Sequence, residues 1–186
     1  MGNIDKRIRG SVEPDLKKAP SGKADSAFRL KGAKVKNVAE VARHFKSSKT
    51  RSGMIALFAG PAGSGKKRAA QALAAEIGMD ISRIDLSTVI SKYIGETEKN
   101  LDRVFETARA REEILLLEEA DALLGKRTEI SDAHDRYVNS DVNYLLQRIE
   151  RYPGLVILAT NDKNKIDETL LSRVQFELAF PLAKMI

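Results

Sequence analysis

Apolar residues along this chain occur in patterns that predict strands. Uninterrupted apolar runs cover residues 54–59, 114–117 and 155–159. Such runs are typical of parallel strands that are buried on both faces of a sheet. Residues 80–86 alternate in character, which predicts a fourth strand, and residues 175–180 are expected to form the last one. The pattern therefore predicts five strands.

Helical patterns precede and separate these strands. In four segments, apolar residues recur at three- and four-residue spacing, which places them on one face of a helix. These residues are Val38, Val41, Ala42 and Phe45; Ala70, Leu73, Ala74 and Ile77; Leu101, Val104, Phe105 and Ala108; and Val138, Val142, Leu145, Leu146 and Ile149. Gly78 is expected to end the second helix. Loops are expected at 97–100 and 125–135, and a short helix at about 166–171. Because strands and helices alternate, we predict an α/β fold of three layers, with helices on both faces of a five-stranded parallel sheet.

The segment between the first strand and the second helix is rich in glycine. A strand, a glycine-rich turn and a helix N-terminus form the P-loop arrangement, in which backbone N–H groups point into a concavity that binds phosphate. The helix dipole adds positive potential there, and Lys66 is expected to reach the β- and γ-phosphates. The predicted nucleotide-binding residues are Gly60, Pro61, Ala62, Gly63, Ser64, Gly65, Lys66 and Lys67.

Polar residues follow two of the buried strands. Glu118 and Glu119 come directly after the run at 114–117, and Asn161 follows the run at 155–159. The carboxyl ends of parallel strands meet at one edge of a sheet, where ligands bind. Hydrolysis of ATP requires a phosphate cradle, a metal ion and a group that orients water. We therefore predict Glu118 at the metal position, Glu119 polarising the water, and Asn161 near that water or the γ-phosphate.

These motifs resemble those of the AAA ATPases. Residues 60–66, 114–121 and 159–161 resemble the Walker A, Walker B and sensor-1 motifs, and the similarity extends over about residues 52–181. Residues 91–100 resemble the segment that carries the first pore loop, which implies that Tyr93 and Ile94 grip a substrate polypeptide. Residues 132–152 resemble the bacterial valosin-containing-protein-like branch. The resemblance implies ATP or ADP as ligand, Mg²⁺ as cofactor, a homo-hexamer and a protein substrate or assembly partner.

The chain departs from the family pattern at several positions. The family has Thr or Ser at Lys67 and Asp at Glu118, and it has two arginines that act in trans at Ser172 and Arg173, so that Arg173 is the surviving candidate. The C-terminal helical lid of the family is expected to be missing, since the chain ends at Ile186. Our hypothesis is that the Lys67 ammonium reaches Glu118 and occupies the place of the metal. In the alternative, Lys67 turns outward and Glu118 holds Mg²⁺ through water.

The net charge of +6 is concentrated near the N-terminus. Residues 1–53 carry 14 Lys and Arg against 5 Asp and Glu, a net +9, and the remainder carries 18 against 21, a net −3. We expect a flexible basic leader over residues 1–36 and an AAA-type nucleotide-binding α/β domain over residues 37–186. Because the basic residues are spread and only Phe28 is interleaved, a solvated leader is favoured over a nucleic-acid contact.

Composition excludes several classes of protein. Cysteine is absent, which rules out disulfides and cysteine metal sites. No apolar run reaches the length of a membrane span, and the first residues do not form a secretory signal. A cytoplasmic protein without a membrane partner is therefore expected.

Two functions of different classes fit these observations. The first is an AAA-type ATPase module that couples ATP binding or hydrolysis to remodelling of a protein partner. The second is a non-hydrolysing nucleotide-binding module that serves as an assembly element or switch, which the residues at Lys67 and Glu118 favour. A nucleic-acid-stimulated ATPase rests on the basic leader alone.

Overall fold

The computed structural model of this protein describes residues 37–48, 53–90, 93, 95–124 and 133–181. Its helices are α1 (Val38–Ser47), α2 (Lys66–Ile77), α3 (Leu86–Val89), α4 (Glu96–Ala110), α5 (Asp121–Leu124), α6 (Ala133–Arg151), a 3₁₀ helix (Lys163–Lys165) and α7 (Glu168–Leu171). Its strands are β1 (Met54–Ala59), β2 (Ile81–Asp85), β3 (Ile114–Glu118), β4 (Leu155–Thr160) and β5 (Phe176–Ala179). The predicted leader over residues 1–36 lies outside this range.

The five strands form one sheet in the order β2-β3-β4-β1-β5, and every neighbouring pair is parallel. Strands β3 and β4 are buried along their whole length. The prediction of a five-stranded parallel sheet is thus confirmed. Because all strands run the same way, β1, β3 and β4 deliver their final residues to the same edge, which is where the candidate site lies.

Alternate residues of the central strands pack into two separate cores. Ile55 and Leu57 of β1 join the core that is covered by α3, α4, α5, α6 and α7. Ala56 and Phe58 join the core on the other face, which is covered by α1 and α2. This two-sided burial explains why the strand sequences are continuously apolar. It also confirms the three layers.

The ends of two helices follow from local chemistry. Asn37 is the N-cap of α1, and its side chain accepts a hydrogen bond from the Glu40 N–H at 3.0 Å. Gly78 ends α2 in the left-handed conformation with φ of 81°, and its N–H donates to Ala74 O at 2.9 Å. The prediction that Gly78 ends this helix is confirmed.

Several boundaries differ from the predicted ones. Helix α4 begins at Glu96, so the loop predicted at 97–100 is wrong; Glu96 and Glu98 lie in the first turn, where acids complement the helix dipole. Helix α6 begins at Ala133, inside the loop predicted at 125–135, of which residues 125–132 lie outside the described range. Short helices α3 and α5 were not predicted.

Among the described residues, no helix combines the length and the apolar character that crossing a membrane requires.

Candidate nucleotide-binding site

A glycine-rich loop connects β1 to α2. Gly63 and Gly65 adopt φ of 76° and 95°, in the left-handed region that favours glycine. Gly60 serves a different purpose, because a Cβ at this position would lie 2.1 Å from the main-chain oxygen of Phe180. In the described part of the chain, Ser64 Oγ is buried and has no hydrogen-bond partner. The loop is therefore shaped by backbone requirements that favour glycine. It also contains a buried hydroxyl, that of Ser64, with no hydrogen-bond partner in the described part of the chain.

Lys66 begins α2 and folds its side chain back over the loop. Its Nζ donates to Pro61 O at 3.0 Å, to Asn161 Oδ1 at 3.1 Å and also to Gly60 O. Burial lowers the pKa of Lys66, and the neighbouring carboxylate of Glu119 acts in the opposite direction. The ammonium thus lies at the N-terminus of α2 and is surrounded by oxygen acceptors. A phosphate oxygen would be a further acceptor of the same kind.

Asn161 joins Lys66 to Glu119. Its Oδ1 accepts from Lys66, and its Nδ2 donates to Glu119 Oε2 at 2.9 Å. Glu119 has φ of 52°, a left-handed conformation that costs a non-glycine residue about 1–3 kcal/mol and is frequent at functional sites. Three residues predicted from separate motifs are therefore connected by hydrogen bonds at the carboxyl edge of the sheet.

A second pair of residues holds these loops together. Thr160, whose exposed fraction is 1%, donates from Oγ1 to Asp121 Oδ1 at 2.8 Å. The same oxygen accepts from the Asp162 N–H at 3.2 Å. In addition, the Ala120 N–H donates to Ala159 O at 2.9 Å. The segments that carry Glu119 and Asn161 are thereby fixed to each other, a role that the sequence did not reveal.

Glu118 is held by two cations. It is the last residue of β3, and its side chain is 11% exposed. Lys67 Nζ lies 2.8 Å from Oε2, while Arg83 approaches Oε1 with Nη2 at 3.1 Å and Nε at 3.1 Å. The Lys67 ammonium reaches Glu118, as the hypothesis predicted, and does not turn outward from it as in the alternative. That Glu118 holds Mg²⁺ through water stays a prediction. Arg83, on the neighbouring strand β2, was not predicted.

This arrangement does not fit direct coordination of Mg²⁺. A P-loop metal is held by the hydroxyl that follows the lysine and by an acid at a strand end. Here a lysine follows Lys66, and both oxygens of Glu118 are already paired with cations. Across the residues that the structure describes, no group of three or more His, Asp or Glu side chains could hold a metal ion.

Arg173 and Tyr93 are not part of this cluster. Arg173 follows α7, and its Nη1 lies 2.6 Å from Glu150 Oε1. The nearby Gln175 N–H donates to Ile55 O, so Arg173 is near the amino end of β1, remote from the P-loop. Tyr93 is 72% exposed. Ile94, the second predicted pore residue, lies outside the described residues.

The fold and the site define a P-loop nucleotide-binding domain. The family model described as "ATPase family associated with various cellular activities (AAA)" matches residues 56–182. The chain therefore belongs to the AAA ATPase family, as its motifs predicted. This membership implies nucleotide binding.

Curated relatives agree with this assignment. The chain is 42% identical over 116 residues to ATPase family gene 2 protein of Schizosaccharomyces pombe, covering 61% of this chain and 14% of that protein. It is 37% identical over 134 residues to an uncharacterized AAA family ATPase, y4kL, of Sinorhizobium fredii, covering 70% and 40%. It is 33% identical over 126 residues to the proteasome-activating nucleotidase of Aeropyrum pernix, covering 65% and 31%. The matched region is less than half the length of each of these relatives.

Proposed function

We propose that this chain is the nucleotide-binding domain of an AAA-type ATPase that couples ATP binding or hydrolysis to the remodelling of a protein partner. The observation that carries the proposal is the hydrogen-bonded series from Lys66 through Asn161 to Glu119. It places a cation, an amide and a carboxylate, each from a different element, beside one phosphate-binding loop.

Each member of the series has a role in phosphoryl transfer. Lys66 neutralises phosphate charge, and the N–H groups of the loop bind phosphate oxygens. The buried hydroxyl of Ser64, which lacks a partner among the described residues, supports a polar ligand at this loop. Glu119 orients the attacking water. Asn161 detects the γ-phosphate, and its position between Lys66 and Glu119, with a hydrogen bond to each, supports this role.

The proposed protein partner and oligomer rest on other observations. One relative is named a proteasome-activating nucleotidase, and another is the 26S proteasome subunit RPT4 of Saccharomyces cerevisiae, 32% identical over 133 residues. Tyr93 projects a largely exposed ring, which suits contact with a substrate polypeptide in the pore of a homo-hexamer. Arg173, remote from its own P-loop, suits a role on the nucleotide of a neighbouring subunit. A place in the valosin-containing-protein-like branch and a cytoplasmic location are part of this proposal.

Phosphate release from ATP tests the proposal. We expect Glu119→Gln to abolish steady-state release while ATP still raises the melting temperature, because the substitution keeps the loop and Lys66 intact. Glu112→Gln is the matched control: Glu112 is an exposed glutamate with φ of 54° beside the opposite end of β3. The control should retain the wild-type rate.

The same assay separates the ATPase from the alternative function. If the wild type and Glu119→Gln are equally inactive although ATP stabilises both, the chain is a non-hydrolysing nucleotide-binding module, the function that the pairing of Glu118 with Lys67 supports. The comparisons favour the ATPase, since the relatives are named as ATPases and nucleotidases.

A further inference from the structure

The carboxylate of Glu118 has no free oxygen for a metal ion. Lys67 pairs with Oε2 at 2.8 Å, and Arg83 pairs with Oε1 through two nitrogens at 3.1 Å. Both Arg83 nitrogens contact the same oxygen, and charge-assisted hydrogen bonds are about twice as strong as neutral ones. A metal that bound Glu118 directly would lie beside at least one of these cations and would be repelled by its charge.

The cluster has the net charge that a metal site would have. Lys67 and Arg83 contribute +2 and Glu118 contributes −1, which leaves +1. A divalent cation bound to one carboxylate, with a neutral hydroxyl as the other protein ligand, also leaves +1. Lys67 and Arg83 therefore supply, from the protein itself, the positive charge that Mg²⁺ would supply to the phosphates.

Lys67 also has the right position and freedom to reach phosphate. It is in the first turn of α2, directly after Lys66, where the helix dipole favours anions. Its side chain is 59% exposed even while paired with Glu118. A flexible ammonium on such a stem can share its protons between Glu118 and a phosphate oxygen, whereas Arg83 holds the carboxylate in place.

We propose that this P-loop binds nucleoside di- and triphosphates without a divalent cation, with Lys67 and Arg83 on Glu118 taking the place of the metal. This inference rests on the proposed nucleotide-binding function. It adds a class of ligand, the metal-free nucleotide. It also assigns a phosphate-binding role to Lys67 and a positioning role to Arg83, two cations outside the Lys66–Asn161–Glu119 series.

Calorimetric titration with ATP, in buffer with EDTA and in buffer with excess Mg²⁺, tests the inference on the full chain. For the wild type we expect the dissociation constants for ATP in the two buffers to agree within about threefold. The double variant Lys67→Thr/Glu118→Asp restores a hydroxyl and a shorter carboxylate. It should bind at least about tenfold more weakly in EDTA than in Mg²⁺.

Two further variants separate specific from general effects. Lys165→Thr removes the same charge from an exposed position in the 3₁₀ helix and should bind ATP like the wild type in both buffers. Arg83→Gln should weaken ATP binding in EDTA. Without Arg83, Glu118 has Lys67 as its only cation and holds the Lys67 ammonium more tightly, away from the phosphates. Circular dichroism spectra confirm that each variant is folded, and if the double variant fails to fold, Lys67→Thr alone replaces it.

The outcomes distinguish this inference from the function on which it rests. Wild-type binding that requires Mg²⁺ would overturn the inference and leave nucleotide binding intact. Wild-type binding in neither buffer would overturn both. Equal binding in the two buffers by the wild type, combined with a Mg²⁺ requirement in the double variant, supports the inference.

Discussion

Thr160 links the two loops that carry Glu119 and Asn161, so removing its hydroxyl is an informative perturbation. The substitution Thr160→Val keeps the shape of the side chain in the core and replaces the hydroxyl by a methyl group. The variant loses the hydrogen bond to Asp121 Oδ1 at 2.8 Å and the one from the Asp162 N–H at 3.2 Å. We expect it to be less stable than the wild type.

The size of the effect follows from the environment of the partners. A hydrogen bond to a charged group contributes about 1.5–3 kcal/mol to stability. Asp121 and Asp162 are both partly exposed, so each can recover water as a partner. This places the expected loss in the lower half of that range, about 1.5–2 kcal/mol. At roughly 2–4 °C per kcal/mol for a chain of this size, the melting temperature should fall by roughly 3–8 °C.

Urea unfolding measures this loss as a lower urea concentration at the midpoint of unfolding. The slope of the unfolding free energy against urea concentration should be unchanged, since the folded and unfolded states keep their compactness. Thr107→Val is the matched control: Thr107 is exposed on α4, and its Oγ1 donates to Arg103 O at 2.7 Å. That variant should stay within about 0.5 kcal/mol of the wild type. A loss for Thr160→Val no larger than that of the control would refute the argument.

Two other predictions concern stability. Gly60→Ala should lower the free energy of unfolding by at least about 2 kcal/mol, because its Cβ would lie 2.1 Å from Phe180 O. Gly78→Ala is the control: Gly78 has φ of 81° and no atom within 4 Å of the added Cβ, so this variant should lose only the roughly 1–2 kcal/mol of a left-handed alanine. Equal losses of the two variants in urea unfolding would contradict this reasoning. Burial raises the pKa of Tyr152 above its usual range. The folded protein then keeps a proton that the unfolded chain loses above about pH 10, so wild-type stability should fall with rising pH by up to about 1.4 kcal/mol per unit. Tyr152→Phe should show a shallower fall between pH 10 and 11, and parallel stability curves for the two proteins would exclude this linkage.

The main strands could be predicted because their residues are buried on both faces. The short apolar runs at 54–59, 114–117 and 155–159 are typical of buried parallel strands. They place Glu118, Glu119 and Asn161 at strand ends even when the order of the strands in the sheet is unknown. Short helices such as α3 and α5, with four residues each, are too brief to show a helical period. Helix α4 begins after Gly95, which forms no side-chain cap hydrogen bond, so no capping side chain marks its first residue.

Contacts between elements were harder to predict. Arg83 reaches Glu118 because β2 is the neighbour of β3 in the sheet, with Asp85 opposite Glu118. The alternation that predicted β2 does not give this order. Similarly, the bond between Thr160 and Asp121 joins residues 39 positions apart in the sequence. The pairing of Lys67 with Glu118 could be anticipated, because both residues occupy positions where a P-loop protein normally has metal ligands.

The close approach of Gly60 to Phe180 has a mechanical consequence. The Phe180 N–H donates to Ala59 O at 2.7 Å, and the missing side chain of Gly60 lets the two backbones touch. A displacement of the phosphate-binding loop cannot be absorbed in a gap, because none exists there. A displacement of the loop at Gly60 would therefore press on the backbone at Phe180, directly after the end of β5.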